Sequence, residues 1–369
     1  MIRPVESRKG VVSFLRSLLV QKQPPMVGLD ISSSSVKLVE LQIGPDGGYI
    51  LARYASEPFG KGWVIDGQIE KFDEVTRAIK KVLIKSGSRC KHAAMAMPQS
   101  SVITKKIMLP AGLTEDELEI QVESEANQYI PFSLDEINLD FCVVGPSPKS
   151  PDDVEVMIAA SRKERVQDRQ ALAEAAGLKA VVLDIESHAS RLALSRIISN
   201  LPGQSKEHLI ALFEIGAETS SLKVLRDTEL LYDRDQAFGG AQLTQMISRQ
   251  YGFSFQEAEE KKLSGNLPED FGTVTLTPFI ETASQEISRA LQYFFSSTSH
   301  HKVQYVLLSG GTASLPGMRD RVGQLTGFNC EVVNPFINMK LASEIKGSKL
   351  NREASSYLTA CGLAMRRFV

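Results

Sequence analysis

The chain has 369 residues, 43% of them hydrophobic, enough to bury a sizeable core and to divide into two or more lobes. Its formal net charge of -2 lacks the basic excess of a general nucleic-acid binder. Four scattered cysteines, Cys90, Cys142, Cys330 and Cys361, form no CxxC pair and suggest neither a zinc site nor a disulfide framework, which fits a reducing cytoplasm.

No apolar run approaches the ~18 residues of a membrane span. Within residues 1–22, Arg3, Arg8, Lys9, Arg16 and Lys22 face only Glu6 around Val11, Val12, Phe14, Leu15, Leu18 and Leu19. Either this is a short amphipathic helix resting on an anionic membrane or a partner, or residues 1–25 are a leader that "QKQPP" separates from the folded body, which is the expectation here.

"VGLDISSSSVKLVEL" (27–41) reads as two apolar strands around a serine turn. Small residues in a tight turn bring successive backbone N–H groups into a concavity that binds anions, phosphate above all. Ser32, Ser33, Ser34 and Ser35 supply that turn. Asp30 would repel a bare phosphate and makes sense as a ligand of a hydrated Mg²⁺, with Lys37 as a compensating charge. A polar turn alone is a weak signal.

"KFDEVTRAIKKVLIKSG" (71–87) places Val75, Ile79, Val82 and Leu83 at helical spacing before a glycine stop. "CKHAAMAMP" follows as a strand. Residues 99–153 differ in texture: a strand "SVITKKIMLP", a helix "TEDELEIQVESEANQYI" with Thr114 and Glu117 in capping-box spacing, and a strand "INLDFCVVG". They read as an inserted subdomain, closed by the turn-rich "GPSPKSPDD". "VEVMIAA" then resumes the first lobe (26–98 and 154–200), with a helix over 162–176, the strand "KAVVLDI" and the helical "IESHASRLALSRII" (185–198).

The second lobe, 201–369, echoes the first. "FEIGAETSSLKVL" from Phe213 repeats "LDISSSSVKLVEL" from Leu29: an apolar residue, an acid, an isoleucine, a small-residue turn, and a strand carrying lysine. Glu214 matches Asp30, and Gly216, Ala217, Glu218 and Thr219 match the serines. "GGAQLTQMISRQYGFSFQEAEEKKLSG" and "FIETASQEISRALQYFFSST" read as helices, "QYVLLSGGTASLPGM" as a strand entering a Gly-Gly turn, and "ASSYLTACGLAMRRF" (354–368) as a helix whose small Ala360, Gly362 and Ala364 permit close approach of another element. A helix following the hairpin in each half is a second support for duplication.

The order of these motifs resembles the actin-like ATPase superfamily. "GLDISSSSVK" resembles its first phosphate loop, "VLDIESHASRLA" its first connecting helix, "FEIGAETSS" its second phosphate loop, "AEEKK" (258–262) and "LLSGGTASLPGM" its adenosine region, and "TACGLAMR" its closing helix. The resemblance implies an α/β, duplicated ribonuclease H-like, two-lobe fold with an inserted subdomain of the FtsA type, and a smaller subdomain at about 246–302. It also implies ATP and Mg²⁺ as cofactors: Asp30 and Glu214 toward the metal, both turns and Lys37 toward phosphate, and Gly239, Gly240, Gly310, Gly311 and Thr312 lining the nucleotide. Glu259 would reach the ribose and Lys262 the base; taken alone, "AEEKK" is a solvated helix face. Glu186 would orient the attacking water; its plainer role is a helix N-terminal acid complementing the macrodipole.

Within that superfamily the wording is similar to the PilM family of type IV pilus assembly proteins, above all in "MPQSSVITKKIMLP" and "ESEANQYIPFSLDEINLDF". FtsA, the other group with such an insertion, carries a C-terminal membrane-targeting helix, whereas this sequence stops at "MRRFV". Ser32 stands where the family usually has Gly, and Glu214 where Asp is common; a side chain at 32 restricts the loop if that position needs positive φ. The family resemblance implies an ATP-binding adapter at the cytoplasmic face of the inner membrane that captures the N-terminal tail of PilN in a groove of the first lobe and the inserted subdomain, with residues 98–132 as candidates. The oligomeric state and any pilus motor partner stay open, as does the choice between slow and efficient hydrolysis. A kinase on this fold would need a catalytic base that no motif supplies.

Overall fold

A computed structural model describes residues 24–147, 150–203, 207–227 and 229–369. The amphipathic pattern of residues 1–22 lies outside them. Packing divides the chain into unit 1, residues up to 41 with 52–190 and 362–369, and unit 2, residues 42–51 and 191–361.

Unit 1 begins with β1 (Met26–Ile31) and β2 (Ser35–Ile43), an antiparallel hairpin around the serine turn, continued by β3 (Tyr49–Pro58). A small hairpin of β4 (Val64–Ile65) and β5 (Gln68–Ile69) turns at Asp66 and Gly67, whose φ values of 50° and 74° are those of a type I′ turn. Helix α1 (Phe72–Ser86) stops at Gly87, which adopts the left-handed conformation at φ 65°, and β6 (His92–Met97) follows. The glycine there satisfies the last carbonyls of the helix through its N–H, as the sequence pattern predicts.

Strand β7 (Ile103–Pro110), helix α2 (Glu115–Tyr129), β8 (Ile137–Pro146) and β9 (Asp153–Arg162) come next. The Thr114–Glu117 capping box forms as expected. These strands make a separate three-stranded antiparallel sheet in the order β7-β9-β8, with its own core of Ile107, Leu109, Val122, Ala126, Ile137, Val156 and Ile158. The strand "VEVMIAA", assigned from the sequence to the first lobe, is thus the central strand of the small sheet. Its register leaves no doubt: Ile107 faces Val156 on one side and Val143 faces Val156 on the other.

Helix α3 (Lys163–Ala175), strand β10 (Lys179–Ile185) and helix α4 (Glu186–Ile198) return to the main sheet, whose order is β10-β6-β1-β2-β3. Strands β10 and β6 run parallel, as do β6 and β1, so their residues are apolar nearly throughout. Val27, Leu29, Leu38, Ile79, Met95 and Leu172 fill the core.

Unit 2 repeats the plan. Strands β11 (Leu209–Ile215), β12 (Ser220–Arg226) and β13 (Glu229–Gln236) form an antiparallel meander, followed by helices α5 (Gly240–Tyr251), α6 (Phe255–Ser264) and α7 (Thr277–Ser297). The "GGAQLTQ…KKLSG" stretch is two helices, because Gly252 at φ 71° ends the first and Ser254 caps the second. Strand β14 (Tyr305–Ser309), helix α8 (Met318–Thr326) and β15 (Asn329–Val332) complete a sheet in the order β13-β12-β11-β14-β15. A short β16 (Lys340–Leu341) pairs with Ile50 and Leu51 at the start of β3. Helix α9 (Gly347–Glu353) leads through a 3₁₀ turn at 354–357 into α10 (Leu358–Met365), so the segment read as one closing helix over 354–368 is shorter and begins with that turn.

Three segments group differently from the sequence-based boundaries: 42–51 and 191–200 go with unit 2, and 362–369 goes with unit 1. The last has a visible cause. A Cβ at Gly362 would come closer to the Ala189 carbonyl than the 3.0 Å real Cβ atoms keep, and Arg366 Nε donates to the buried Asp184 carboxylate at 2.5 Å.

Candidate functional site

In unit 1 the serine turn is held from within. The Ser32 N–H donates to Ser35 O at 3.0 Å, and the Ser32 hydroxyl donates to the same carbonyl at 3.0 Å. Ser34 O accepts from the Phe59 N–H at 2.8 Å. Among the described residues, nothing accepts from the N–H groups of Ser33 and Ser34, so two successive amides at the tip remain available to an anion. Ser32 lies outside the left-handed region, so the side chain at this position causes no backbone strain. Asp30 pairs across the hairpin with Lys37, whose Nζ lies 3.7 Å from the carboxylate and 3.4 Å from the Ser32 hydroxyl.

Unit 2 builds the same turn. The Gly216 N–H donates to Thr219 O at 2.9 Å, in the position that Ser32 and Ser35 take in unit 1, and the amides of Ala217 and Glu218 likewise have no acceptor among the described residues. Here the lysine is out of step. Ser221 stands opposite Glu214 in the ladder, and Lys223, two residues further, reaches back to the Glu214 carboxylate and to the Ser221 hydroxyl. Lys223 also faces Asp233 on β13, whose carboxyl burial pushes up in pKa against the lowering effect of that lysine.

Around this second turn the chain gathers most of the sequence-predicted residues. The N–H groups of Gly240 and Ala241, in the first turn of α5, donate to Gly216 O and Ala217 O at 2.9 and 2.8 Å. The Thr312 hydroxyl lies 3.3 Å from Gly216 O, and a Cβ at Gly240 would sit 2.6 Å from that hydroxyl. At Gly239 a Cβ would collide with Ala217 O, and at Gly310, φ 94°, with Ile215 O. Gly310 is therefore required by the packing of its own backbone, whereas Gly311 opens onto space. On α6, Lys262 lies 2.6 Å from Glu259 and donates to the Thr244 hydroxyl at 2.8 Å, and Thr244 in turn donates to Glu259. Glu259 and Lys262 thus belong to a fixed polar cluster at the base of α5 rather than to a solvated helix face.

Each acid has the hard oxygen chemistry that Mg²⁺ prefers, and a magnesium ion bound through one or two carboxylates, phosphates and waters needs no larger protein ligand set. Among the described residues no group of three His, Cys, Asp or Glu side chains could hold a metal unaided. The lysine beside each acid is a competitor that a metal ion would have to displace.

Glu186 opens α4, immediately after β10, and Ser187 beside it donates to Gln99 at 2.6 Å. Its charge reaches Arg169 on α3, as does that of Asp30. Arg169, absent from the sequence-based candidates, is 3% exposed; burial is the main influence on its guanidinium and lowers its pKa, opposed by Glu186, Asp30 and Asp168. Its Nη2 donates to Gly67 O at 2.8 Å, and its Nη1 is buried with no partner.

Arg169 lies in the wall of a cavity of about 420 Å³ within unit 1. The β4-β5 turn, the Pro98–Ile103 segment, the Ile130–Phe132 corner after α2 and the first turns of α3 enclose it. The Phe132 ring stacks under the Arg162 guanidinium at 4.1 Å. Three arginines, 162, 165 and 169, and two aspartates, 66 and 168, line it.

A model of the type IV pilus assembly protein PilM family matches residues 28–368. Among solved structures, the chain is similar to one described as the PilM-PilN type IV pilus biogenesis complex, at 28% identity and a TM-score of 0.75, covering 94% of this chain and 99% of that one. It is similar in fold to the ethanolamine utilization protein EutJ from Carboxydothermus hydrogenoformans, at 17% identity and a TM-score of 0.56, covering 95% and 93%. Duplicated units, each with a hairpin around a small-residue turn, define a protein of the actin-like α/β class. Within that class, the chain belongs to the type IV pilus assembly protein PilM family. Among the described residues no helix is long and apolar enough to cross a membrane.

Proposed function

We propose that the chain is an ATP-binding adapter of type IV pilus assembly that holds the N-terminal cytoplasmic tail of PilN in the unit 1 cavity, at the cytoplasmic face of the inner membrane. What supports the adapter role most is the origin of that cavity's walls. Pro98, Ser100, Ser101, Ile103, Ile130, Pro131 and Phe132 all come from the 98–132 segment singled out in the sequence, and they mix apolar surface with fixed polar groups. An extended peptide gains affinity from such a groove through apolar anchors and backbone hydrogen bonds.

ATP binding is supported by the paired amides at each turn. Ser33 and Ser34 in unit 1, and Ala217 and Glu218 in unit 2, offer N–H groups to phosphate oxygens beside an acid-lysine pair. Asp30 in unit 1 and Glu214 in unit 2 each present a carboxylate that suits Mg²⁺, which supplies charge neutralisation to the phosphates when bound. Gly239, Gly240, Gly311 and Thr312 would line the nucleotide, with the Glu259–Lys262 cluster toward its sugar and base. Nucleotide would shift the peptide-binding population by its differential affinity for the two states.

Isothermal titration of the chain with a synthetic PilN N-terminal peptide, with and without ATP and Mg²⁺, tests both parts. Peptide binding with heat from ATP is expected; peptide binding without any ATP binding would leave the adapter and remove the nucleotide. A second reading, a competent ATPase driving a mechanical cycle, is favoured by the position of Glu186 at the start of α4, and turnover in the presence of peptide separates the two.

A further inference from the structure

A buried guanidinium with one unused donor is costly. Loss of hydration around a charged group is offset only when its hydrogen bonds are made. Arg169 Nη1 is such a donor: it makes no hydrogen bond, and its residue sits in the wall of the unit 1 cavity. The geometry points to Arg169 as the specificity-determining residue of that cavity, donating from Nη1 to an amide carbonyl oxygen of a docked extended peptide.

This inference rests on the cavity being the peptide site. The choice of a neutral amide oxygen follows from two observations. First, Arg169 has already committed Nη2 to Gly67 O at 2.8 Å, so the two-pronged fork that makes carboxylates good arginine partners is half occupied. Second, Glu186, Asp30 and Asp168 already act on the guanidinium as counter-charges, with Arg165 opposing them, although burial outweighs them. A further carboxylate buried there would bring its own desolvation cost for little Coulombic gain. An amide oxygen accepts one of the two Nη1 hydrogens without adding charge.

The receptor for that bond is preset by the Asp66–Gly67 turn. A Cβ at Gly67 would collide with the Pro98 ring, so only glycine lets the turn close onto Pro98 and aim its carbonyl at α3. The gripped guanidinium cannot swing to solvent without losing that bond. It is thereby held ready before any ligand arrives.

The experiment compares the wild-type chain and Arg169→Lys in binding a fluorescein-labelled PilN N-terminal peptide, with thermal unfolding of each. Lysine keeps the charge and a donor for Gly67 O and loses the second, fixed donor. Peptide affinity is expected to fall about tenfold or more while unfolding stays cooperative. A variant that binds within about threefold of wild type overturns the assignment of Arg169 and leaves the peptide site standing; a wild-type chain that does not bind the peptide removes both. If Arg169→Lys fails to fold, a cocrystal of the wild-type chain with the same peptide decides. An amide oxygen within about 3.2 Å of Nη1 bears the inference out and shows whether backbone or side chain supplies it, and a carboxylate, a water or no partner there overturns it.

Discussion

Gly362 in α10 lies directly on the backbone of Ala189 in α4, where a Cβ would come inside the 3.0 Å limit to the Ala189 carbonyl oxygen, carbon and, nearly, its Cα. Two effects compete on substitution by alanine. Helix propensity would favour alanine by about 1 kcal/mol. Overlap with a backbone carbonyl cannot be relieved by a side-chain rotation and costs about 1–3 kcal/mol or more as the helices are pushed apart. Gly362→Ala is therefore expected to lower the thermal midpoint by several degrees, and an unchanged or raised midpoint in differential scanning calorimetry would show that the helices separate freely.

One turn later, Arg366 closes over Asp184, which is fully buried at the end of β10. Removing the guanidinium leaves a carboxylate in the interior without its cation, an event that costs about 3–5 kcal/mol. Arg366→Met is expected to destabilise by that order in urea unfolding, and Asp184→Asn in the same chain to restore a large part of it, because the amide no longer carries a charge to compensate. Equal midpoints for the single and double variants would mean that the pair is not coupled.

How much of this was legible in advance differs by kind of signal. The paired hairpins, the glycine stop of α1 and the Thr114 capping box follow from local chemistry, in which neighbours in sequence determine the conformation, and the structure bears them out. The membership of β9 was not, because an apolar strand between two turns fits either sheet, and only its long-range partners decide. Lys223 stands nine residues after Glu214 where Lys37 stands seven after Asp30, and the ladder accordingly places it two residues beyond the position opposite its acid. Arg169 had no signal in its own helix: "KERVQDRQALAEA" reads as a solvated face, and the group that holds its guanidinium, Gly67 O, lies 102 residues earlier. The Asp66-Gly67 pair between "VI" and "QI" was readable as a type I′ hairpin and points to the turn that receives it.

The cysteines should separate by environment. Burial pushes the Cys361 thiol up to about 12, with Arg196 nearby only partly opposing it, and Cys330 likewise to about 12, whereas Cys142 is exposed on β8. The thiolate is the reactive form. With iodoacetamide at pH 8, Cys142 is expected to be alkylated first and Cys361 to stay unmodified until the chain unfolds, as read by peptide mass spectrometry. The sign for stability follows. An acid whose folded pKa is raised holds its proton in the folded state after the unfolded chain has lost it, so stability declines as pH rises from about 9, the ordinary thiol value, toward 12. Cys361→Ala should flatten that part of the profile, and early labelling of Cys361 would mean that its surroundings open in the native state.

Glu186 gives the clearest division between an ATP clamp and an ATPase. It stands at the N-terminus of α4, where a carboxylate favours the helix dipole, and its charge is felt by Arg169. If it positions the attacking water, removing its charge costs the proton-transfer assistance of a placed base, about 10²–10⁴ in rate, with ATP affinity nearly unchanged. If it is a helix-end acid, the same change costs a fraction of a kcal/mol of stability and leaves the rate alone. Phosphate release by Glu186→Gln, measured with Mg²⁺ and saturating PilN peptide and set beside ATP affinity from calorimetry, is expected to fall at least about a hundredfold while affinity stays within about threefold. Unchanged turnover would assign the residue to the helix end, and a parallel loss of ATP affinity would place it among the groups that bind the nucleotide.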